Sequence, residues 1–392
     1  MDQETSIAAV RDIMIAFAER TGLVPGAAPV RYLWTDAFAV CNFLGLYRQS
    51  GDEKFLRLAL DLIDQVHRIL GRHRDDDSRT GWLSGLDDAE AAKHPTAGGL
   101  RIGKKLNERG PTEPWDERLE WDRDGQYFHY LTKWMHALSQ TGAVTGDPVY
   151  NRWAVELAKV AYAKFTYVPS VGATPRMYWK MSIDLSRPLV PAMGDRDALD
   201  AVIVFSELTM RAREHGGGTP SPDLGGDIAG AAKICRNMRW DTEDPLGIGG
   251  LLCDVSTALQ LTRAGAFGDP KLLEALLMSS GRGLVQFMSG DALRARAAYR
   301  LAFRELGLSI GLHAVARMQD GLADSPAQIT NADRLRRILE ELMKFMPVAA
   351  HIEDFWRKPE NQQTEGWTAH RDINDVMLAA SLMPDAFLSL SP

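Results

Sequence analysis

The chain has 392 residues, 45% of them hydrophobic and 25% charged, with a formal net charge of −7. This is the profile of a soluble globular protein with ample material for a large core. Acids and bases are mixed along the chain, so no polybasic block points to nucleic acid. No run of about 18 apolar residues could span a bilayer, and the acidic start Met1-Asp2-Gln3-Glu4-Thr5 lacks an apolar signal-peptide core. A cytoplasmic protein with neither nucleic-acid nor membrane partners is expected. Cys41, Cys235 and Cys253 stand alone in apolar helical patterns, which suits buried thiols rather than a disulfide framework or a metal knuckle.

Apolar residues recur at three- and four-residue spacing in segment after segment. The pattern predicts helices at about 4–20, 34–49, 52–71, 125–141, 147–165, 197–214, 225–238, 248–264, 269–288, 292–319, 331–346 and 372–388, twelve in all or six pairs. Segments 166–171 and 176–181 suit a short hairpin. Gly51-Asp52-Glu53-Lys54-Phe55, Gly146-Asp147-Pro148-Val149-Tyr150 and Gly268-Asp269-Pro270-Lys271-Leu272 share one layout. In it the glycine ends one helix in the left-handed conformation, the aspartate caps the next, and proline fits the first turn. The copies lie 95 and then 122 residues apart, which excludes a strict solenoid and suits similar helical pairs separated by unequal loops. The long connections 73–123, 166–196 and 352–370 are rich in Gly, Pro, Trp and charge. Eight of the ten tryptophans fall there or at helix starts. Long loops of this kind often carry function.

Three stretches put an aromatic or basic residue beside aspartates where a helix begins. They are Trp34-Thr35-Asp36, Trp121-Asp122-Arg123-Asp124-Gly125-Gln126-Tyr127 and His370-Arg371-Asp372-Ile373-Asn374-Asp375. Aspartate near a helix start also caps free N–H groups and complements the helix dipole, so each one alone has a structural explanation. Repetition with tryptophan attached points further, to a rim where sugar rings stack and carboxylates do acid–base work.

Six hairpins, tight Gly-Asp turns and long loops on one side resemble the six-hairpin glycosidase-like superfamily. The closest likeness runs from Trp34-Thr35-Asp36-Ala37-Phe38 through Leu46-Tyr47-Arg48-Gln49-Ser50-Gly51-Asp52, similar to the inner helix, turn and outer helix of unsaturated glucuronyl hydrolases and N-acylglucosamine 2-epimerases. The resemblance implies an all-α (α/α)6 toroid, here a single domain over residues 1–392, with long loops on one rim. If alternate helices form the inner ring, Asp36, Asp122, Asp124, Asp195, Asp197 and Asp375 approach one cavity, and Asp254 lies one to two turns down its helix.

Glycoside hydrolysis needs one protonated and one ionised carboxyl group. Asp36 and Asp124 are the leading pair. Asp254, an acid in the apolar stretch Leu251-Leu252-Cys253-Asp254-Val255, is the third catalytic candidate, because burial would raise its pKa. Trp34, Trp115 and Trp121 are candidates for stacking on sugars, and Tyr127 and His129 for hydrogen bonding or proton transfer. Arg101, in a basic glycine-bearing loop with Lys104 and Lys105, and Arg371 are candidates for gripping a substrate carboxylate; Asp375 completes the binding set. No HExxH motif occurs and the histidines are dispersed, so neither metal nor cofactor is expected. The expected function is hydrolysis of a short glycoside, uronate-bearing ones included. Sugar epimerisation is the nearest alternative, followed by a non-catalytic binding or scaffold toroid. Terpene cyclisation, on the strength of Asp122-Arg123-Asp124, comes last.

Overall fold

The computed structural model describes residues 3–214, 222–324 and 329–391. The chain divides into two compact units. The first contains Met1–Arg20, Asn42–Glu53 and Arg239–Pro392, and the second Thr21–Cys41 and Lys54–Met238. Helix Leu33–Ser50 gives its first half to the second unit and its second half to the first. No helix among the described residues is long and apolar enough to cross a membrane.

In the second unit, helices Phe128–Thr145 and Pro148–Phe165 form an antiparallel pair across a tight turn. Gly146 closes the turn at φ 71°, and the Asp147 carboxylate accepts from Val149 N–H at 2.9 Å. Gly51 does the same at φ 68°, whereas at the third copy of the motif the left-handed residue is Gly265 rather than Gly268. Helices Asp197–Glu214 and Gly225–Cys235 form a second pair. The expected hairpin is present, with Thr166–Tyr167 antiparallel to Arg176–Met177. A small sheet, not foreseen, joins Gln126–Tyr127, Lys180–Met181 and Pro188–Val190.

In the first unit three helices run parallel with their starts together: Pro245–Arg263, Ala302–Asp324 and Arg371–Leu382. Arg304 Nη1 donates to Asp244 Oδ1 at 2.6 Å, and Phe303 N–H to Asn374 Oδ1 at 2.9 Å, both at helix starts. Farther along, Ser309 and Ser381 both donate to Glu353 Oε1. Outer helices Pro270–Ser289, Ala332–Met343, Met346–Trp356 and Gln3–Arg20 pack on these three. The first two parallel helices touch at glycine: a Cβ built on Gly249 would lie 2.1 Å from Gly307 O, and one on Gly311 2.5 Å from Gly249 Cα.

Several stretches differ from expectation: the connection 73–123 contains helices Asp88–Lys93 and Glu117–Asp122, and 372–388 is split into Arg371–Leu382 and Asp385–Leu388. Residues 292–319 are not one helix but two single 3-10 turns, Ala292–Arg294 and Ala297–Tyr299, before helix Ala302–Asp324. Arg300 breaks the run: its backbone is extended at φ −116°, and its buried guanidinium clamps both oxygens of Glu305 and lies 3.7 Å over the Phe355 ring. The expected connection 352–370 contains the end of Met346–Trp356 and two one-turn helices.

Two outcomes follow for stability. Gly249→Ala forces the helices apart and costs about 1–3 kcal/mol. Gly281→Ala, where only Leu342 Cδ2 lies within contact at 3.5 Å, gains up to about 1 kcal/mol from helix propensity. Urea unfolding of the two variants should bracket the wild type. His67 is buried, accepts from Trp134 Nε1 at 3.2 Å, and is held at a pKa of about 3 by burial. Between pH 6.5 and 3 only the unfolded chain protonates it, so it makes stability fall with decreasing pH by up to about 1.4 kcal/mol per unit. The slope of unfolding free energy against pH should flatten across that window in His67→Gln.

Candidate active site

The second unit gathers most of the residues singled out from sequence. Around the starts of Leu33–Ser50 and Phe128–Thr145 lies a cluster of rings: Tyr32, Trp34, Tyr127, His129, Tyr130 and Trp179. His129 stacks on Tyr127 at 5.2 Å and lies parallel to Trp179 at 6.4 Å, while Trp34 meets it edge-on at 6.3 Å. Tyr32 and Tyr130 share a hydroxyl–hydroxyl bond of 2.7 Å. Burial pushes the Tyr32 phenol up to about 12 and raises Tyr127 as well. Trp121 is half exposed and sits edge-on to Trp179 at 5.3 Å, extending the cluster to the surface. The small sheet sets this geometry. Tyr127 pairs with Lys180, the neighbour of Trp179, and Lys180 is anchored by Glu120 Oε1 and the carbonyls of Glu120 and Arg123. Burial lowers the pKa of Lys180 against the pull of Glu120.

His129 heads a ladder between two helices that sequence reading had not assembled. Its Nδ1 lies 3.4 Å from Asp197 Oδ1, an electrostatic contact. One turn on, Lys133 Nζ donates to Asp200 Oδ1 at 3.1 Å, and two turns on, His136 Nδ1 meets Glu207 Oε2 at 2.9 Å. The rungs ascend in step, so Phe128–Thr145 and Asp197–Glu214 are parallel. Asp197, Asp200 and Glu207 are buried; His129 retains 24% side-chain exposure. Charge from Lys133 and Arg196 holds Asp200 below its usual range although burial pushes it the other way. Asp197 Oδ2, Asp200 Oδ2 and Trp34 Nε1 are buried and meet no hydrogen-bond partner in the protein. The stripe was visible as spacing, His129, Lys133, His136 and Gln140 at i, i+4, i+7 and i+11.

The leading aspartates serve other contacts. Asp36 Oδ2 accepts from Tyr32 N–H at 2.9 Å, and Oδ1 faces Arg31 Nη1 at 3.6 Å, a carboxylate reaching back over its own helix start. Asp124 is wholly buried. It accepts from Arg101 Nη1 at 2.6 Å, Arg74 Nη1 at 3.3 Å, and the N–H groups of Gly103 and Gly125 at 3.0 Å each. Arg101 also donates to the carbonyls of Arg72 and Ile69, so each of its nitrogens is engaged within the chain. The loop read as an anion clamp is a strap held by Asp124: a Cβ at Gly103 would strike Arg31 O at 2.2 Å. Lys104 donates to Trp121 O and lies 6.0 Å from the Tyr32 ring. Trp115 is exposed, with Arg109 5.6 Å from its ring, away from the partners of His129.

Arg371, Asp375 and Asp254 belong to the first unit. Arg20 Nη2 donates to Asp375 Oδ2 at 2.8 Å and Arg371 Nε lies 3.7 Å from the same oxygen. Burial pushes Asp375 up to about 6 despite both arginines. Asp254 is buried, and since its helix begins at Pro245 rather than 248 it sits in the third turn, deeper than expected.

No protein-family model matches the sequence, and no curated protein matches it either. Solved structures do. The chain is similar to cellobiose 2-epimerase from Bacillus thermoamylovorans B4167, with a TM-score of 0.51 and 10% identity over 96% of this chain and 99% of that one. It is also similar to cellobiose 2-epimerase from Spirochaeta thermophila DSM 6192, with a TM-score of 0.49 and 13% identity over 94% and 97%. A sugar epimerase from a ruminal bacterium gives 0.45 and 11% over 86% of each chain. The fold is therefore all-α and of the (α/α)6 type, as in the Bacillus thermoamylovorans structure.

Asp124→Ala takes the carboxylate partner from buried Arg101, while half-buried Arg74 keeps Asp76. Breaking a buried pair from one side costs about 3–5 kcal/mol, and chemical denaturation of this variant should show a loss of that size.

Proposed function

We propose that this protein is a sugar epimerase or isomerase that acts by proton transfer at the carbon beside a carbonyl, with His129 as the acid–base group. The observation that carries this reading is the His129–Asp197 dyad, half-buried among rings at the head of the ladder. Epimerisation requires that a proton be lifted from carbon and returned, and imidazole does both near neutral pH. Asp197 beside Nδ1 orients the ring and leaves Nε2 to act, as a carboxylate does for histidine in hydrolytic triads. Trp34, Tyr127, Tyr130 and Trp179 offer apolar faces for a sugar ring, with Trp121 at the outer edge.

Hydrolysis through Asp36 and Asp124 has less support. Both carboxylates are engaged by arginine and backbone partners inside the protein, so neither is placed to reach a glycosidic oxygen. Asp124 is better read as the hub of the strap, Arg101 as its counter-ion, and Asp36 as a helix-start anchor. The epimerase fold seen in the solved structures agrees with the proton-transfer reading.

The test is incubation with cellobiose, mannose and glucuronate in D2O, followed by proton NMR. The expected result is loss of the C2–H signal and growth of the epimer's or ketose's signals for at least one sugar. His129→Asn should slow that exchange by about 10²- to 10⁴-fold while the melting temperature stays close to wild type. Release of free monosaccharide from cellobiose with C2–H retained would overturn the reading in favour of hydrolysis.

A further inference from the structure

The ladder continues past its third rung. On helix Phe128–Thr145, Ser139 and Gln140 follow His136 on the inner stripe; both are buried, and Ser139 Oγ and both amide atoms of Gln140 meet no hydrogen-bond partner in the protein. On the facing helix the same is true of Asp197 Oδ2 and Asp200 Oδ2. These five polar atoms are therefore buried without a protein partner. An unpaired buried polar atom costs about 1–3 kcal/mol, and interiors avoid that cost mainly by enclosing ordered water, each molecule typically bonding about three such groups.

We propose that the seam between these helices is hydrated, and that its waters connect the buried His136–Glu207 dyad to the open end of the ladder at His129. Asp197 Oδ2 and Asp200 Oδ2 accept from these waters along the way, and Lys133 with Asp200 forms the middle of the path. A proton that leaves the His136 imidazole passes to water, and another arrives by the same file from the open end, so the charge of the dyad is unchanged after each exchange. In the proposed epimerase the same file lets the proton that His129 lifts from the sugar exchange with solvent, with no net charge left on His136–Glu207. That use rests on the function proposed above; the hydration does not. His136 is a positioning and relay residue, since it is nearly inaccessible and touches no substrate.

The exchange of the His136 imidazole N–H with solvent, measured by ¹⁵N NMR on the whole protein, tests this without substrate. A hydrated seam predicts exchange at least 100-fold faster than that of the buried backbone amides of residues 134–140. Replacing the middle rung with apolar groups of similar size, Lys133→Met with Asp200→Leu, should slow His136 exchange at least tenfold while those amides change little. A crystal structure at about 1.5 Å should place water on Asp200 Oδ2 and on the Gln140 amide. Exchange in the wild type as slow as that of the amides, or an exchange rate unchanged in the double variant, overturns the path. If His136 exchanges rapidly but no sugar loses its C2–H in D2O, the seam stands and the epimerase reading falls.

Discussion

Parallel packing of helices brings like poles together, and much of this chain's chemistry answers that constraint. In the second unit Phe128–Thr145 and Asp197–Glu214 run side by side in the same sense, as the rising rungs of the ladder show. In the first unit Pro245–Arg263, Ala302–Asp324 and Arg371–Leu382 do the same. Each arrangement masses the positive ends of helix dipoles at one edge, where carboxylates are favoured. Asp36, Asp197 and Asp200 in one unit, and Asp244, Asp372 and Asp375 in the other, sit at such starts. An excess of aspartate at helix starts is thus a property of the architecture before it is a property of any reaction.

That constraint gives each aspartate at a helix start a structural role whatever the chemistry. A carboxylate at a helix start is stabilised by N–H groups and dipole alike; Asp36 and Asp124 also face arginine. Asp124 has a further task, since its four donors tie the glycine-bearing strap to the strand that carries Tyr127. The rings around His129 stand where they do because this polar hub, together with buried Lys180 beneath Tyr127, fixes the loops that hold them.

How much of this was legible in the sequence varied with the range of the interaction. Helices with a regular apolar stripe, such as Asp197–Glu214, and the capped turn at Gly146-Asp147-Pro148 follow from local rules and could be read directly. The interruption at Arg300 could not, because it depends on Glu305 and on the rings of Phe355 and Trp356, more than fifty residues distant. The ladder was half visible. His129, Lys133 and His136 keep helical spacing, but the stripe is informative only once its acidic partners, sixty-seven to seventy-one residues away in sequence, are known to face it. Trp121 and Trp34 were flagged as a pair by their neighbouring aspartates, yet it is Trp179, from another loop, that bridges Trp121 to His129.

Among the histidine–carboxylate pairs of the two units, His313–Glu353 and His129–Asp197 differ in character. Glu353 Oε1 in the first unit accepts from His313, Ser309 and Ser381 at 2.7, 2.9 and 2.7 Å, drawing three helices onto a single oxygen. Those donors hold its pKa below the usual range although burial pushes it up. That oxygen is fully engaged as the joint between the helices. Asp197 and Asp200 in the second unit each leave one oxygen unengaged in a buried place. Polar atoms buried without partners are a cost that a purely structural seam would shed by substitution with apolar residues. Their place beside His129 fits the proton-transfer reading proposed above.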